Sequence, residues 1–196
     1  FVPFDNIFFH DAKTYLFETT ASTLGKVQNS DPTLNNNNNS SGLFSRFLHF
    51  FRSSLFANEF AEFDRQCDQL LKLANHSCVM ADSTHIRILC TIYRRLTGSN
   101  EVFRSTTGPH WEEIGFQNTN PETDFRATGL FSVLCLLYFV DSMYLPLAKQ
   151  IHALSRRPPQ DFPFCCVGIN LANMILKSLR QSSTRKNLRK AIDLKS

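Results

Sequence analysis

LFSVLCLLYFV, residues 130–140, has one serine hydroxyl and one tyrosine hydroxyl among eleven positions, and Asp141 closes it. A half-buried strand would alternate apolar and polar residues, and a surface helix would leave one polar face. This run leaves neither: as a helix rich in Leu130, Val133, Leu134, Leu137 and Tyr138, it is apolar on nearly every face. As a helix it is about 17 Å long, against roughly 30 Å for the hydrocarbon core of a bilayer. The stretch therefore predicts a buried central helix inside a helical domain.

The flanks agree with a helical domain. Downstream, Leu145, Leu147, Ala148, Ile151 and Leu154 form an amphipathic partner that ends at Arg156-Arg157-Pro158-Pro159, and a last apolar helix runs from about Phe164 to Leu179. Upstream, Asp82-Ser83-Thr84 starts a helix carrying Ile86, Leu89, Cys90, Tyr93 and Leu96, with Gly98 as its stop. Pro109 opens a short turn or helix through Trp111 and Ile114, ended by Gly115. Asn120-Pro121 pairs a capping side chain with proline at the first helical position. Phe60, Phe63, Leu70, Leu71 and Leu73 carry helical spacing to Asn75. Before them Phe44, Phe47, Leu48, Phe51 and Leu55 make one apolar stripe. That stripe reads as core-facing, with a membrane-surface helix as the alternative because Arg46 and Arg52 sit beside it. No segment alternates with hairpin turn signals, so no strand is expected. The expectation is all-α: a single helical domain of about seven helices around a buried central helix.

Residues 18–42 are polar and low in complexity, with five asparagines at 35–39. Such a composition reads as a linker. The division is an N-terminal segment, 1–42, and a helical domain, 43–196. The aromatic stretch Phe1 to Phe17 either docks back on the domain or belongs to a longer N-terminal region. The absence of an initiator methionine suggests a fragment or a processed form, and FVPFDNIFF has no signal-peptide pattern.

Composition narrows the chemistry. Apolar residues make up 42% and charged residues 19%, which suits a soluble globular chain. The net charge is +4, and Lys177, Arg180, Arg185, Lys186, Arg189, Lys190 and Lys195 crowd the C-terminal end, opposed there by Asp193. This run is a solvated face or a contact for an anionic membrane or acidic protein. It lacks the aromatic interleaving of a nucleic-acid stacker, so no nucleic-acid partner is expected. Six cysteines without C-x-x-C spacing read as reduced thiols in a cytoplasmic protein, with a peripheral membrane contact left open. His76 and Cys78 have no second ligand pair, so no metal is expected.

Enzymatic signatures are missing. Gly25-Lys26 fails the phosphate-loop pattern because Thr20 and Val27 stand where glycine and Ser or Thr are needed. There is no G-x-S-x-G elbow, H-E-x-x-H helix or dinucleotide fingerprint. Glu112 and Glu113 are adjacent, which aims them apart on a helix. No cofactor and no self-contained catalytic site are expected.

One charged residue stands out. GFQNTNPETDFRATG, residues 115–129, places Arg126 in a turn-rich run just before the central helix. Taken alone, Arg126 either pairs with Asp124 to fix the helix start or reaches into the chemistry of a partner.

The longer run from Trp111 to Phe139 resembles the ELMO domain, in the branch of small ELMO-domain proteins that act as GTPase-activating proteins for ARF-family and ARL-type GTPases. The branch pattern is Trp, three residues, Gly-Phe-Gln-Gly, a turn with Pro, then Thr-Asp-Phe/Leu-Arg-Gly-x-Gly and an apolar helix. Trp111, Gly115, Phe116, Gln117, Pro121, Thr123, Asp124, Phe125, Arg126 and Gly129 match it, whereas Asn118 and Ala127 replace two glycines. LPLAKQIHALSRR at 145–157 and FPFCCVGINLANMILKSLR at 162–180 extend the resemblance, which covers roughly 62–180.

The resemblance implies that Arg126 is the catalytic arginine, inserted in trans into a GTP-bound ARF/ARL-type GTPase. A guanidinium is always protonated and offers a rigid fork of donors to a transferring phosphoryl group. Such fingers contribute roughly 10³ to 10⁵ in rate, or about 4 to 7 kcal/mol. The same resemblance implies that Asp124 orients Arg126 or secures the loop. It implies too that Gln117 orients the loop or meets the GTPase, that Trp111 and Phe116 anchor the loop, and that Gly129 permits close helix approach. Gly115, Pro121 and Thr123 complete the motif. The alternative is a non-catalytic ELMO-type scaffold or GTPase-binding module.

Overall fold

A computed structural model of the chain describes residues 5–22, 61–100 and 105–193. The described elements are α1 (Phe9–Ser22), α2 (61–75), α3 (Ser83–Thr97), α4 (His110–Glu113), a 3-10 turn (Pro121–Phe125), α5 (Gly129–Asp141), α6 (Leu145–Ser155), α7 (Phe164–Arg180) and α8 (Ser182–Asp193). Among the described residues there is no strand. The architecture is all-α, as the periodicity predicts.

The apolar run becomes α5, and it is central. It touches α1, α3, α6, α7 and the 3-10 turn. Leu130, Phe131, Val133, Leu134, Leu136, Leu137 and Val140 are all buried on it. No single described helix is long and apolar enough to cross a membrane. At about 25 cal/mol per Å² of apolar surface removed from water, each such side chain stabilises the fold by roughly 1.5–3 kcal/mol.

Local signals set the ends of α3. The Asp82 carboxylate accepts the Thr84 N–H at 2.8 Å and the His85 N–H at 3.1 Å, satisfying two donors that a helix start leaves orphaned. At the other end Gly98 takes the left-handed conformation, φ 73°, and returns its N–H to the Arg94 carbonyl. Asn120-Pro121 also begins an element: the Asn120 side chain accepts the Glu122 N–H at 3.1 Å. The result is one 3-10 turn of five residues, because the chain must double back before α5 begins.

From Asp5 onward the aromatic N-terminal stretch docks on the domain. The Ile7 N–H donates to the buried Thr91 hydroxyl at 3.0 Å, and the Phe9 N–H to Asp141 at 2.8 Å. Asp141 also holds Arg95 at 2.9 Å, so one carboxylate ties α1, α3 and α5 together. Ala12 and Leu16 are fully buried. Residues 18–22, assigned by composition to the linker, instead complete α1, and Thr20 is buried there. The apolar stripe expected at Phe44 to Leu55 lies outside the described residues, as does the boundary expected at 42–43.

The basic run at the C-terminus divides by face. Arg185 and Arg189, one turn apart on α8, turn inward to Asp68 and Asp64 of α2. Lys186 and Lys190 are exposed. Exposed pairs of this kind contribute about 0–1 kcal/mol each, so they align α8 more than they stabilise it.

Candidate functional site

The 114–129 loop is built on an aromatic row. Trp111 is fully buried, and its indole N–H donates to the Thr106 carbonyl at 2.9 Å. Phe116 meets Trp111 edge-on at 6.0 Å between centroids and Phe125 at 5.5 Å. Both phenylalanines are buried, so the two ends of the loop are pinned to one core cluster.

The backbone closes the same loop onto α7. Pro163 precedes α7 and supplies no side-chain cap. The orphan N–H groups of Cys165 and Cys166 donate instead to the carbonyls of Ile114 and Gly115, at 3.2 and 3.0 Å. Gly115 stands at φ 87°, and a Cβ there would lie 2.2 Å from the Phe164 nitrogen. Only glycine meets both demands.

Asp124 serves this closure. Its carboxylate accepts the Gln117 N–H at 2.9 Å, and the Cys166 thiol points at the same oxygen from 3.9 Å. Burial, reinforced by the Asp124 charge, pushes that thiol up to about 11. The Gln117 side chain is exposed. Thr123 returns its hydroxyl to the Asn120 carbonyl at 3.1 Å, and Pro121 is buried beneath the turn.

Arg126 does not pair with Asp124. Among the described residues it forms no ion pair; its Nε donates to the Thr123 carbonyl at 2.9 Å, and the side chain is exposed. The ion-pair reading is therefore corrected: one Asp124 oxygen meets both the Gln117 N–H and the Cys166 thiol. Among the described residues, Nε is the one guanidinium nitrogen of Arg126 with a hydrogen bond. Asn118 and Ala127 are exposed on the same loop.

Behind Arg126 lies a cleft of about 360 Å³. Its walls include Asn75, His76, Glu122, Phe125, Gly129 and Arg180. Gly129 forms the join: at φ 51°, a Cβ there would stand 2.4 Å from the His76 carbonyl oxygen, and the next N–H, Leu130, donates to that oxygen at 2.9 Å. Sequence reading had not placed His76, Glu122 or Arg180 here. His76 follows α2 and Arg180 ends α7, and no local pattern links either to Arg126, whereas Glu122 belongs to the 3-10 turn four residues before it.

The geometry presents a permanently charged, donor-only group on the rim of a polar cleft. Among the described residues no three His, Cys, Asp or Glu side chains converge to hold a metal. The arrangement suits recognition of an anion supplied by another molecule.

Residues 68–196, nearly all of this scaffold, match the ELMO/CED-12 family. The chain belongs to the ELMO/CED-12 family.

Its relatives include ELMO domain-containing protein 3 of Homo sapiens, 43% identical over 115 residues, which are 58% of this chain and 30% of that protein. The Mus musculus protein of the same name is 40% identical over 115 residues, again 58% of this chain and 30% of the relative. ELMO domain-containing protein 2 of Mus musculus is 30% identical over 108 residues, 55% of this chain and 36% of the relative. The chain thus spans about a third of the length of these curated relatives. No solved structure matches it. For this ELMO/CED-12 domain the loop geometry gives a physical reading of the motif. Trp111, Gly115, Phe116 and Asp124 fasten a turn to α7, and Arg126 is the charged residue the turn leaves outside.

Proposed function

We propose that this ELMO/CED-12 chain is a cytoplasmic GTPase-activating protein for ARF/ARL-type small GTPases. It supplies Arg126 in trans, while the GTPase contributes the nucleotide, the phosphate loop and Mg²⁺. The observation that supports this reading is the exposure of Arg126, tethered among the described residues through Nε to the Thr123 carbonyl.

Charge develops on the phosphoryl oxygens in the transition state of GTP hydrolysis. A guanidinium that arrives with its orientation already set offers two donors to those oxygens without reorganising. The Nε bond sets that orientation here. Asp124 acts one step away, by holding the Gln117–Asp124 turn shut, and Trp111 and Phe116 fix the turn to the core.

The test is single-turnover GTP hydrolysis by a panel of ARF and ARL GTPases, with the wild-type chain and Arg126→Lys. Acceleration by the wild type and its loss in the variant, with GTPase binding retained, supports the finger. Binding without acceleration by the wild type makes the chain a GTPase-binding module instead.

A further inference from the structure

The charge of this chain is divided along its length. Residues 142–196 hold 10 of the 21 Lys and Arg but only 2 of the 17 Asp and Glu, a net +8; the preceding 141 residues carry −4. The structure sets an exposed apolar ridge on that cationic part. Helix α7 buries Cys165, Ile169, Ala172, Leu176 and Leu179 against the core, as one face of an amphipathic helix should. Its opposite face is apolar too. Val167, Leu171, Met174 and Ile175 follow one another at helical spacing and are 38, 56, 64 and 50% exposed.

The ridge has a counterpart on α6. Leu147 and Leu154, 47 and 44% exposed, lie one turn either side of Ile151. Between the two helices runs an apolar groove of about 270 Å³, lined by Ile151, Val167, Leu171 and Ile175 and by Cys135 and Phe139 of α5. Single exposed leucines are ordinary, but a continuous strip over two helices marks a surface that meets something apolar.

The cations identify the occupant. Arg157, Lys177, Lys186 and Lys190 are exposed, and among the described residues none is in an ion pair. Asp161 is the one carboxylate in the sequence from 142 to 192. These four positive groups come from three separate parts of the chain, the 156–163 loop, α7 and α8. An acidic helix seated in the groove would offer its carboxylates in a fixed register, matching few of them. A fluid anionic surface places a headgroup under each, while acyl chains take the apolar strip. We propose that the outer face of α7, with the α6 rim, docks on an anionic lipid surface. This docking is independent of GTPase activation.

The test is flotation of the full chain with vesicles of phosphatidylcholine alone and of phosphatidylcholine with about 30% phosphatidylserine. The chain binds the anionic vesicles, and binding weakens as salt is raised. The double substitution Leu171→Ser with Met174→Ser lowers the bound fraction about tenfold or more. Both side chains face water in the free chain, so a thermal melt matching the wild type accompanies this loss. Lys177→Gln with Lys186→Gln weakens binding to the anionic vesicles while leaving the apolar ridge in place. Failure to float with anionic vesicles, or flotation unchanged by the Leu171/Met174 pair, overturns the proposal. So does a wild-type dimer that the same pair converts to monomer, since a second copy then covers the face. GTP hydrolysis measured in solution without vesicles is scored separately, so the two readings fail independently.

Discussion

The carboxylate of Asp124 accepts the backbone N–H of Gln117 at 2.9 Å, closing the eight-residue turn whose end presents Arg126. The two residues form the latch of the loop, and the neighbouring guanidinium is outside it. If the loop were held by an Asp124–Arg126 ion pair, removing either partner would strand the other. In the arrangement observed, the two residues contribute to different properties.

Arg126→Ala therefore leaves global stability within about 0.5 kcal/mol of wild type, as expected for an exposed side chain. Asp124→Ala costs about 1 kcal/mol by removing a charged acceptor from the Gln117 N–H, and Asp124→Asn, which keeps an acceptor, recovers most of it. A double-mutant cycle by urea denaturation returns a coupling within about 0.5 kcal/mol. A larger coupling would restore the ion pair.

Two glycines are set against a third. Gly115→Ala and Gly129→Ala each combine positive φ with a Cβ under 2.5 Å from neighbouring backbone, so each costs roughly 3 kcal/mol or more. Gly98→Ala has φ 73° but open space around it, and costs about 1–2 kcal/mol from conformation alone. Thermal melts of the three variants rank them; equal losses would remove the role of close packing at Gly115 and Gly129.

Burial lowers the titration of His85 and His152 in the folded chain. His85 also accepts the Val79 N–H on Nδ1 at 3.2 Å, which requires the neutral ring. The unfolded chain then binds more protons than the folded one below the ordinary histidine value of about 6.5. Stability is full above that value and declines as pH falls through it toward the folded value. Denaturation midpoints between about pH 7 and 5 follow this slope, and His85→Gln with His152→Gln flattens it.

Burial holds the thiols protonated: Cys78 is pushed up to about 12, and Cys90, Cys135 and Cys166 to about 11. At pH 8 these four carry roughly a hundredfold less thiolate than a free cysteine or lower still. Alkylation of the native chain by iodoacetamide at these positions is slower by at least that factor than in urea, as read by peptide mapping. Rapid native labelling of Cys166 would show that the Gly115–α7 closure opens.

The helices were legible because each follows from short-range rules. Asp82 and Gly98 bracket α3 by capping chemistry, and the run from Leu130 is too apolar to be anywhere but inside. Residues 18–22 were misassigned because composition averages over a window, while the end of α1 is set by its packing, with Thr20 buried and its hydroxyl returned to the Phe17 carbonyl. Arg126 was legible as a candidate from its motif. Its freedom was not, since an aspartate stands two residues away in sequence, yet the Arg126 Nε donates to the Thr123 carbonyl and the Asp124 carboxylate accepts the Gln117 N–H. The carbonyls of Ile114 and Gly115 meet α7 across about fifty residues, and Arg180 reaches the cleft across a similar span; no local periodicity encodes such meetings.

Helix α7 is fastened at one end by the bonds from Cys165 and Cys166 to the Gly115 turn. It cannot advance along its axis without breaking both, whereas a tilt about that end breaks neither. Over 17 residues, about 25 Å of helix, a tilt of about 5° carries the far end by about 2 Å. At that far end Arg180 forms part of the wall behind Arg126. The width of the cleft is thus geared to the angle of a single helix, with its pivot at a glycine that tolerates no side chain.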